Sequence, residues 1–336
     1  MQTTQQTKKH DEEGTKNERA LIARIESSLS RGADDYFREH NFIRVPTVPH
    51  LVGITGACEN IDTLYKVNHF GQNAFLTQTG QLMLELQIPE LERVCCEIHS
   101  FRAEESVDAR HLCEFPLVEF EFGYTGEGLP QLLGHIEGTI KEMLASVLNK
   151  EAATLERLHT EPARIERMIS EQFNRITYRE AIEMLNKKGY SLSFGDDLKH
   201  DHEQAVVYSL GGLPTFITHY PEAIKFFNMR RDRDDTSVVQ SSDLILPYSG
   251  EAVGSAVREE DPDLLVEKLV NSAMYNLHTQ RGGTLEEFRW YLEAVKVNPV
   301  PHAGCGIGLS RVTQSVLGRN DIRMSTAYPI NASTML

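Results

Sequence analysis

Residues 117–125 read LVEFEFGYT, and this stretch restricts the fold more than any other. Alternation puts Glu119 and Glu121 on one face of a strand and Phe120 and Phe122 on the other. Two inward carboxylates need partners, because an unpaired buried charge is costly. Just upstream, FRAEESVDARHLCEF (101–115) has the pattern of a strand, a polar loop and a returning strand, with Arg102 and Arg110 flanking the loop. The pair of strands is the frame on which the rest is read.

From Glu18 to His40 the apolar residues Leu21, Ile25, Leu29, Ala33 and Phe37 recur every four positions, which predicts an amphipathic helix. Residues 1–17 are polar throughout and are expected to be a disordered tail. Short β-prone runs at Leu64–Val67 and Ala74–Gln78, joined by NHFGQN, predict a hairpin. Helical patterns follow at Leu132–Leu158 and Arg164–Phe173. Another begins at the cap Thr177 and stops at Gly189, and further helices are expected at Pro262–Thr279 and Leu285–Val295. Strands are expected at Thr215–Thr218, Ala223–Met229 and Asp243–Leu246. The Gly-rich HAGCGIGLSR leads into a last helix. Strands and helices in this order predict an α+β fold around a mainly antiparallel sheet.

The chain of 336 residues is 40% hydrophobic, enough for a sizeable core. Lys and Arg number 34 against 49 Asp and Glu, a formal net charge of -15, which disfavours general attraction to nucleic acid or anionic membrane. An anionic ligand must be gripped locally. Five cysteines without a CxxC pair point to reduced thiols in a cytoplasmic protein rather than to zinc or disulfides. No run approaches a membrane span, and the N-terminus lacks the apolar core of a signal peptide.

Three segments carry chemistry. Two guanidiniums converging from Arg102 and Arg110 would make a clamp for a phosphate or carboxylate, although a solvated hairpin with surface ion pairs reads equally well from this stretch alone. In DLILPYSGEAVGSAVREE (243–260), Asp243 and Glu251 are oxygen ligands of the kind that hold magnesium against phosphate. In PHAGCGIGLSR, Gly304, Gly306 and Gly308 let a strand pass close to a ligand or a neighbouring backbone, ahead of Arg311. Cys95 and Cys96 read as core and His99 as scaffold. Glu97, Glu105 and the cluster MRRDRDD (229–235) read as solvated surface. His302 stands evenly between pocket and scaffold.

Together these segments resemble the catalytic core of class II aminoacyl-tRNA synthetases, the asparaginyl branch most closely, from about Glu18 to Pro329. FRAExxxxxRHLxEF followed by VExE is similar to the second family signature. GEAVGSAVRE stands where that family has GEIIGGSQRE, and PHAGCGIGLSR where it has PHGGFGLGxER. WYLE (290–293) and HYP (219–221) are similar too. The resemblance implies the family's antiparallel sheet flanked by helices, ATP and magnesium as cofactors, and a homodimer formed through the N-terminal helix.

By the same resemblance, Arg102 would hold the α-phosphate of ATP and the reacting carboxylate. Glu104 would face the adenine amino group, Phe115 would stack on the ring, and Leu112 lines the same ATP site. Arg110, His111 and Arg311 would grip the pyrophosphate end, with Asp243 and Glu251 on magnesium. Glu59, Gln78, Gln81, Glu119 and Arg258 would bind the amino acid. The aspartyl branch carries a lysine three residues after the second glutamine, whereas Leu84 stands here, as in the asparaginyl branch.

The sequence also departs from the family: Ser310 replaces an acidic residue, Ser255 and Ala256 stand for Gly-Ser, Cys305 replaces an aromatic, and Ile330 replaces an arginine. No N-terminal anticodon-reading barrel precedes the core, so tRNA is an improbable partner on this reading. The expectation is a tRNA-independent ligase: it adenylates asparagine or aspartate and passes the acyl group to ammonia or another amine, as asparagine-synthetase-like paralogues do. The alternatives are a non-catalytic sensor of amino acid or nucleotide, and an activator that loads a carrier protein or a small RNA.

Overall fold

The computed structural model describes residues 2–56 and 61–334, with the backbone alone for residues 2–16. Eight strands form one sheet: β1 (Ile43–Arg44), β2 (Arg93–Phe101), β3 (Glu114–Gly123), β4 (Asn174–Thr177), β5 (Thr215–Thr218), β6 (Ser241–Leu246), β7 (Gly250–Val257) and β8 (His302–Gly308). Their spatial order is β1-β2-β3-β8-β7-β6-β5-β4. The outer pairs β1–β2 and β4–β5 are parallel, and every other neighbour is antiparallel. This is the expected α+β architecture.

The alternation of β3 sets the two sides of the sheet. Phe120 and Phe122 enter the main core, where they meet Ile25, Leu29 and Phe37 of α1 (Gln2–Glu39), Leu132, Ile136 and Ile140 of α2 (Gly128–Lys150), and Val312 and Val316 of α3 (Leu309–Leu317). Each such side chain contributes about 1.5–3 kcal/mol by leaving water. Glu119 and Glu121 are fully buried on the opposite face. There β8 runs beside them, with Gly304 opposite Glu121 and Gly306 opposite Glu119. A methyl group on Gly304 would overlap the Glu121 carboxylate, and one on Gly306 would lie 2.9 Å from Gln81 Nε2. The alternate glycines are thus the space in which the carboxylates sit.

Helix α1 is described from Gln2, so it takes in residues 2–17, where composition predicts a disordered tail. A helix can continue on backbone hydrogen bonds alone, which an absent apolar stripe does not reveal. Side-chain ties to the body are described from Asn17, to Arg157 at 3.0 Å, and Glu18, to Arg319 at 2.7 Å. The hairpin forms two residues away from its expected register, as Lys66–His69 and Gln72–Leu76. Its turn residues Phe70 and Gly71 have φ of 49° and 80°, the left-handed pair that suits a two-residue hairpin turn.

The run 223–229, expected to be a strand, is instead a short 3-10 turn, Glu222–Ile224, followed by loop. Its apolar residues are spent in packing: Phe226 and Phe227 join Leu265, Phe288 and Tyr291 in a second core. A short apolar run does not by itself distinguish a strand from a packed loop. The expected helix 132–158 stops at Lys150 and restarts as Ala152–Arg157, where Glu151 turns aside to Arg24 and Thr154. The helix 262–279 breaks at Ser272, whose hydroxyl caps the second half by accepting from Tyr275 N at 3.1 Å. Thr177 caps as expected, in a reciprocal pair with Glu180. The helix His200–Ser209 and strands β1, β4 and β7 have no counterpart in the sequence reading. Of the five cysteines, Cys58 lies outside the described residues and the other four are free and buried. No described helix is long and apolar enough to cross a membrane.

Candidate active site

Gly304, Gly306 and Gly308 mark out the site along β8. Arg258 and Glu121 lie beside Gly304, Gln81 and Glu119 beside Gly306, and Arg311 beside Gly308. Four residues of strand span about 13 Å, so one strand joins a buried pocket to a cluster of guanidiniums over the length of a small extended ligand.

At the buried end, Arg258 emerges where β7 stops and is 2% exposed. Its Nε and Nη2 donate to Glu121 Oε1 at 3.1 and 2.5 Å, and Nη2 also donates to Gln81 Oε1. Glu85 Oε1 lies 3.6 Å from Arg258 Nε. Glu85 in turn accepts from Tyr291 at 2.6 Å and Asn228 at 2.8 Å, and meets His302 Nε2 at 3.2 Å. Burial pushes the Glu121 carboxyl up to about 7, against the pull of Arg258 and with a further push from Glu85. Burial would likewise raise Glu85, but His302 and Arg258 hold it below its ordinary value. His302 is raised by Glu85 despite its burial. The spacing of Glu85, Glu121 and His302 would suit a metal ion, yet the Arg258 guanidinium already supplies the cation there.

Glu119 accepts from Thr79 Oγ1 at 2.5 Å and Gly80 N at 2.7 Å, and burial raises its pKa in spite of these bonds. Gln81 therefore bridges Glu119 and Arg258. Gln78 is fully buried and donates to Thr63 Oγ1 at 2.8 Å. Glu59 lies outside the described residues.

Leu84 does not face this pocket cluster but packs in an apolar one with Val48, Ile88, Val94, Cys96, Ile98 and Leu117. Lysine in its place would carry an ammonium into that cluster. Leu84→Lys should therefore lower thermal stability by several kcal/mol, about 3 or more, before it alters any preference between asparagine and aspartate. An unchanged melting temperature with a shifted preference would show that the residue reaches the pocket.

At the other end, Arg102 follows the last residue of β2, its amide bonded to Cys113 O at 2.8 Å and its guanidinium 5.1 Å from the Phe115 ring centre. Leu112, the residue before Cys113, is buried. Arg311 stands on the first turn of α3 and donates to Arg110 O at 2.8 Å and to Ser249 O. Burial lowers its pKa, and the neighbouring positive charges of Arg110 and Arg102 lower it further. Glu203 and Glu251 offset part of this repulsion, and an anionic ligand among the three guanidiniums would offset more. The Nε of Arg110 is buried with no partner among the described residues, which fits a phosphate oxygen. His111 turns instead to Asp108, 2.8 Å away and half exposed. Glu104 contributes its amide to Arg102 O at 2.8 Å, and its carboxylate is only partly buried.

The acidic pair lies beside this cluster. A β-bulge between Glu251 and Val253 pairs Glu251 with Ile245, on the face that also carries Asp243. Without it the alternation from Val253 would turn Glu251 into the core. Glu203, from the helix His200–Ser209, accepts from Glu251 N at 3.2 Å, and burial pushes its carboxyl up to about 7. The carboxylates of Asp243, Glu251 and Glu203 line one cavity and are hard oxygen donors of the type magnesium takes, with Arg110 and Arg311 close enough to Glu203 to hold its pKa down in part.

The structure thus gathers Arg102, Arg110, Arg311, Asp243 and Glu251 at one end and Gln81, Glu119 and Arg258 at the other. Sequence reasoning missed Glu85, Glu203, Lys225 and Asn228, and it noted Tyr291 only within WYLE, without a role. Glu85 had a readable signal of its own, since it stands four residues after Gln81 on the short helix Gln81–Glu85.

Asparagine–tRNA ligase of Pelotomaculum thermopropionicum is 32% identical over 311 residues, covering 92% of this chain and 69% of that one. Asparagine–tRNA ligase of Thermococcus kodakarensis is 31% identical over 317 residues, 94% of this chain and 70% of its own. The crystal structure of asparaginyl-tRNA synthetase from Pyrococcus horikoshii complexed with asparaginyl-adenylate superposes with a TM-score of 0.85 at 31% identity, covering 95% of this chain and 70% of that one. The family described as tRNA synthetases class II (D, K and N) matches residues 3–332, and the chain belongs to it.

Proposed function

We propose that the chain forms an aminoacyl adenylate from asparagine or aspartate and transfers the acyl group to ammonia or another amine without tRNA. The observation that carries the first half is the alignment along β8 of the Arg258–Glu121 pocket with the cluster of Arg102, Arg110 and Arg311. A carboxylate oxygen of the amino acid attacks the α-phosphorus of ATP, and pyrophosphate leaves. The amine then attacks the activated carbonyl, the C–O bond to AMP breaks, and an amide and AMP result. Arg102 stabilises the charge that grows at the α-phosphate, while Arg110 and Arg311 hold the departing pyrophosphate. Magnesium held by Asp243 and Glu251 would supply further charge neutralisation. Glu104, Leu112 and Phe115 would form the adenine side of the site, His111 would join Arg110 and Arg311 at the pyrophosphate end, and Gln78, Gln81, Glu119 and Arg258 would form the amino-acid side, to which the family resemblance adds Glu59.

The net charge of -15 supports an uncharged acceptor over a polyanion. We also propose a cytoplasmic homodimer: Ile43 and Leu51, 47% and 39% exposed just after α1, offer an apolar surface for a second copy. The relatives' names favour a second reading, the charging of tRNA.

Exchange of labelled pyrophosphate into ATP, with magnesium and without RNA, tests the first step with asparagine and with aspartate. Addition of ammonia, simple amines or tRNA then tests the second. Amide formation is the expected result. Turnover only with tRNA would replace it by the second reading, and absence of exchange with both amino acids would refute adenylation.

A further inference from the structure

The acidic end of the site already contains a cation. Lys225 follows the 3-10 turn Glu222–Ile224, and its Nζ lies 2.8 and 2.6 Å from the two carboxylate oxygens of Asp243. The same ammonium sits 3.9 Å from the centre of the Tyr220 ring. Both members of the ion pair are withdrawn from water, with side chains 15% and 7% exposed. They share a cavity of about 50 Å³ with Asp197, Glu203 and Glu251. Four carboxyl groups therefore line a cavity that holds one ammonium, while Arg110 and Arg311 act on Glu203 as well.

This arrangement conflicts with simple metal binding. A hard divalent cation needs the oxygens of Asp243 at about 2.0–2.1 Å for magnesium, and both oxygens are engaged by one ammonium. Two positive centres competing for one buried carboxylate repel each other strongly where the dielectric is low. A metal arriving alone meets that repulsion. A metal arriving with a polyphosphate does not, because the phosphate offers the displaced ammonium a new counter-charge.

We propose that Lys225 is a resident counter-ion of Asp243 that a divalent cation displaces only when a nucleotide polyphosphate accepts the released ammonium. The lysine holds the acidic site together in the absence of ligand and couples metal binding to nucleotide binding. This inference rests on the reading of Asp243 and Glu251 as the metal-holding pair, and the test separates the two.

Manganese, whose free ion is counted by electron paramagnetic resonance, is titrated into the protein with and without ATP, and the manganese that the same ATP takes up in the absence of protein is subtracted. Wild type should bind it weakly alone and far more tightly with ATP. Lys225→Met keeps the length and the contact with Tyr220 but removes the charge, so manganese affinity without ATP should rise by about tenfold or more and the gain from ATP should shrink. Lys225→Arg, which keeps the charge, should bind manganese alone as weakly as wild type. Should Lys225→Met prove unstable without its ion pair, manganese should raise its melting temperature more than that of wild type. Unchanged manganese affinity in Lys225→Met, with binding abolished by Asp243→Asn, would overturn the role of Lys225 alone. Manganese binding that survives Asp243→Asn would overturn the metal assignment and this inference with it.

Discussion

Arg102→Ala should lower amino-acid-dependent pyrophosphate exchange by about two to three orders of magnitude, the usual cost of one donor aimed at developing transition-state charge. The loss should fall mainly on kcat, because the guanidinium acts on charge that grows at phosphorus during attack rather than on bound ATP alone. The fold should persist. Arg102 follows the end of β2, and its backbone bond to Cys113 does not need the side chain. Arg311→Ala is the informative contrast. That guanidinium also ties Arg110 O and Ser249 O together, so its removal should loosen ATP binding as well as slow the reaction. Exchange within a few-fold of wild type for Arg102→Ala, in a protein of unchanged melting temperature, would take Arg102 out of the reaction.

What could be read in advance follows from which residues act through local pattern. LVEFEFGYT specified a strand with one carboxylate face and one aromatic face, and the glycines of HAGCGIG matched that face because their period is also two. Arg102 and Arg311 were legible because they flank strand ends within recognisable motifs. The bulge that aims Glu251 was not, since an extra residue in a strand leaves no periodic signature where glycine and alanine are frequent. Nor were Lys225 and Glu203. Lys225 lies in an apolar run that reads as a strand but folds as a turn, and Glu203 sits on a helix whose apolar and polar residues are mixed. Their meeting with Asp243 and Glu251 is a product of sheet order, which brings β5, β6 and β7 side by side. Tertiary partners of this kind are invisible to spacing along the chain.

Arg258→Met tests the pocket through stability. Methionine fills a similar volume without charge, so the substitution leaves Glu121 and Glu85 buried with their shared cation removed. Breaking a buried pair in this way costs about 3–5 kcal/mol at neutral pH. For a chain of this length that corresponds to a fall in Tm of about 4–7 °C. The deficit should depend on pH. Glu121 is already raised to about 7 by burial, and loss of Arg258 raises it further, while Glu85 loses one of the two charges that hold it down. A carboxyl whose folded pKa exceeds its unfolded value loses stability as pH rises from the ordinary carboxylate range through the folded pKa. The difference between variant and wild type should therefore be smaller near pH 5, where Glu121 accepts its proton, and larger near pH 8. Adding Glu121→Leu to Arg258→Met should recover part of the loss, because it removes the stranded charge rather than restoring the pair. A deficit that stays constant across this range would mean that the variant suffers from packing alone, and that the carboxylates facing Arg258 are not held charged by it.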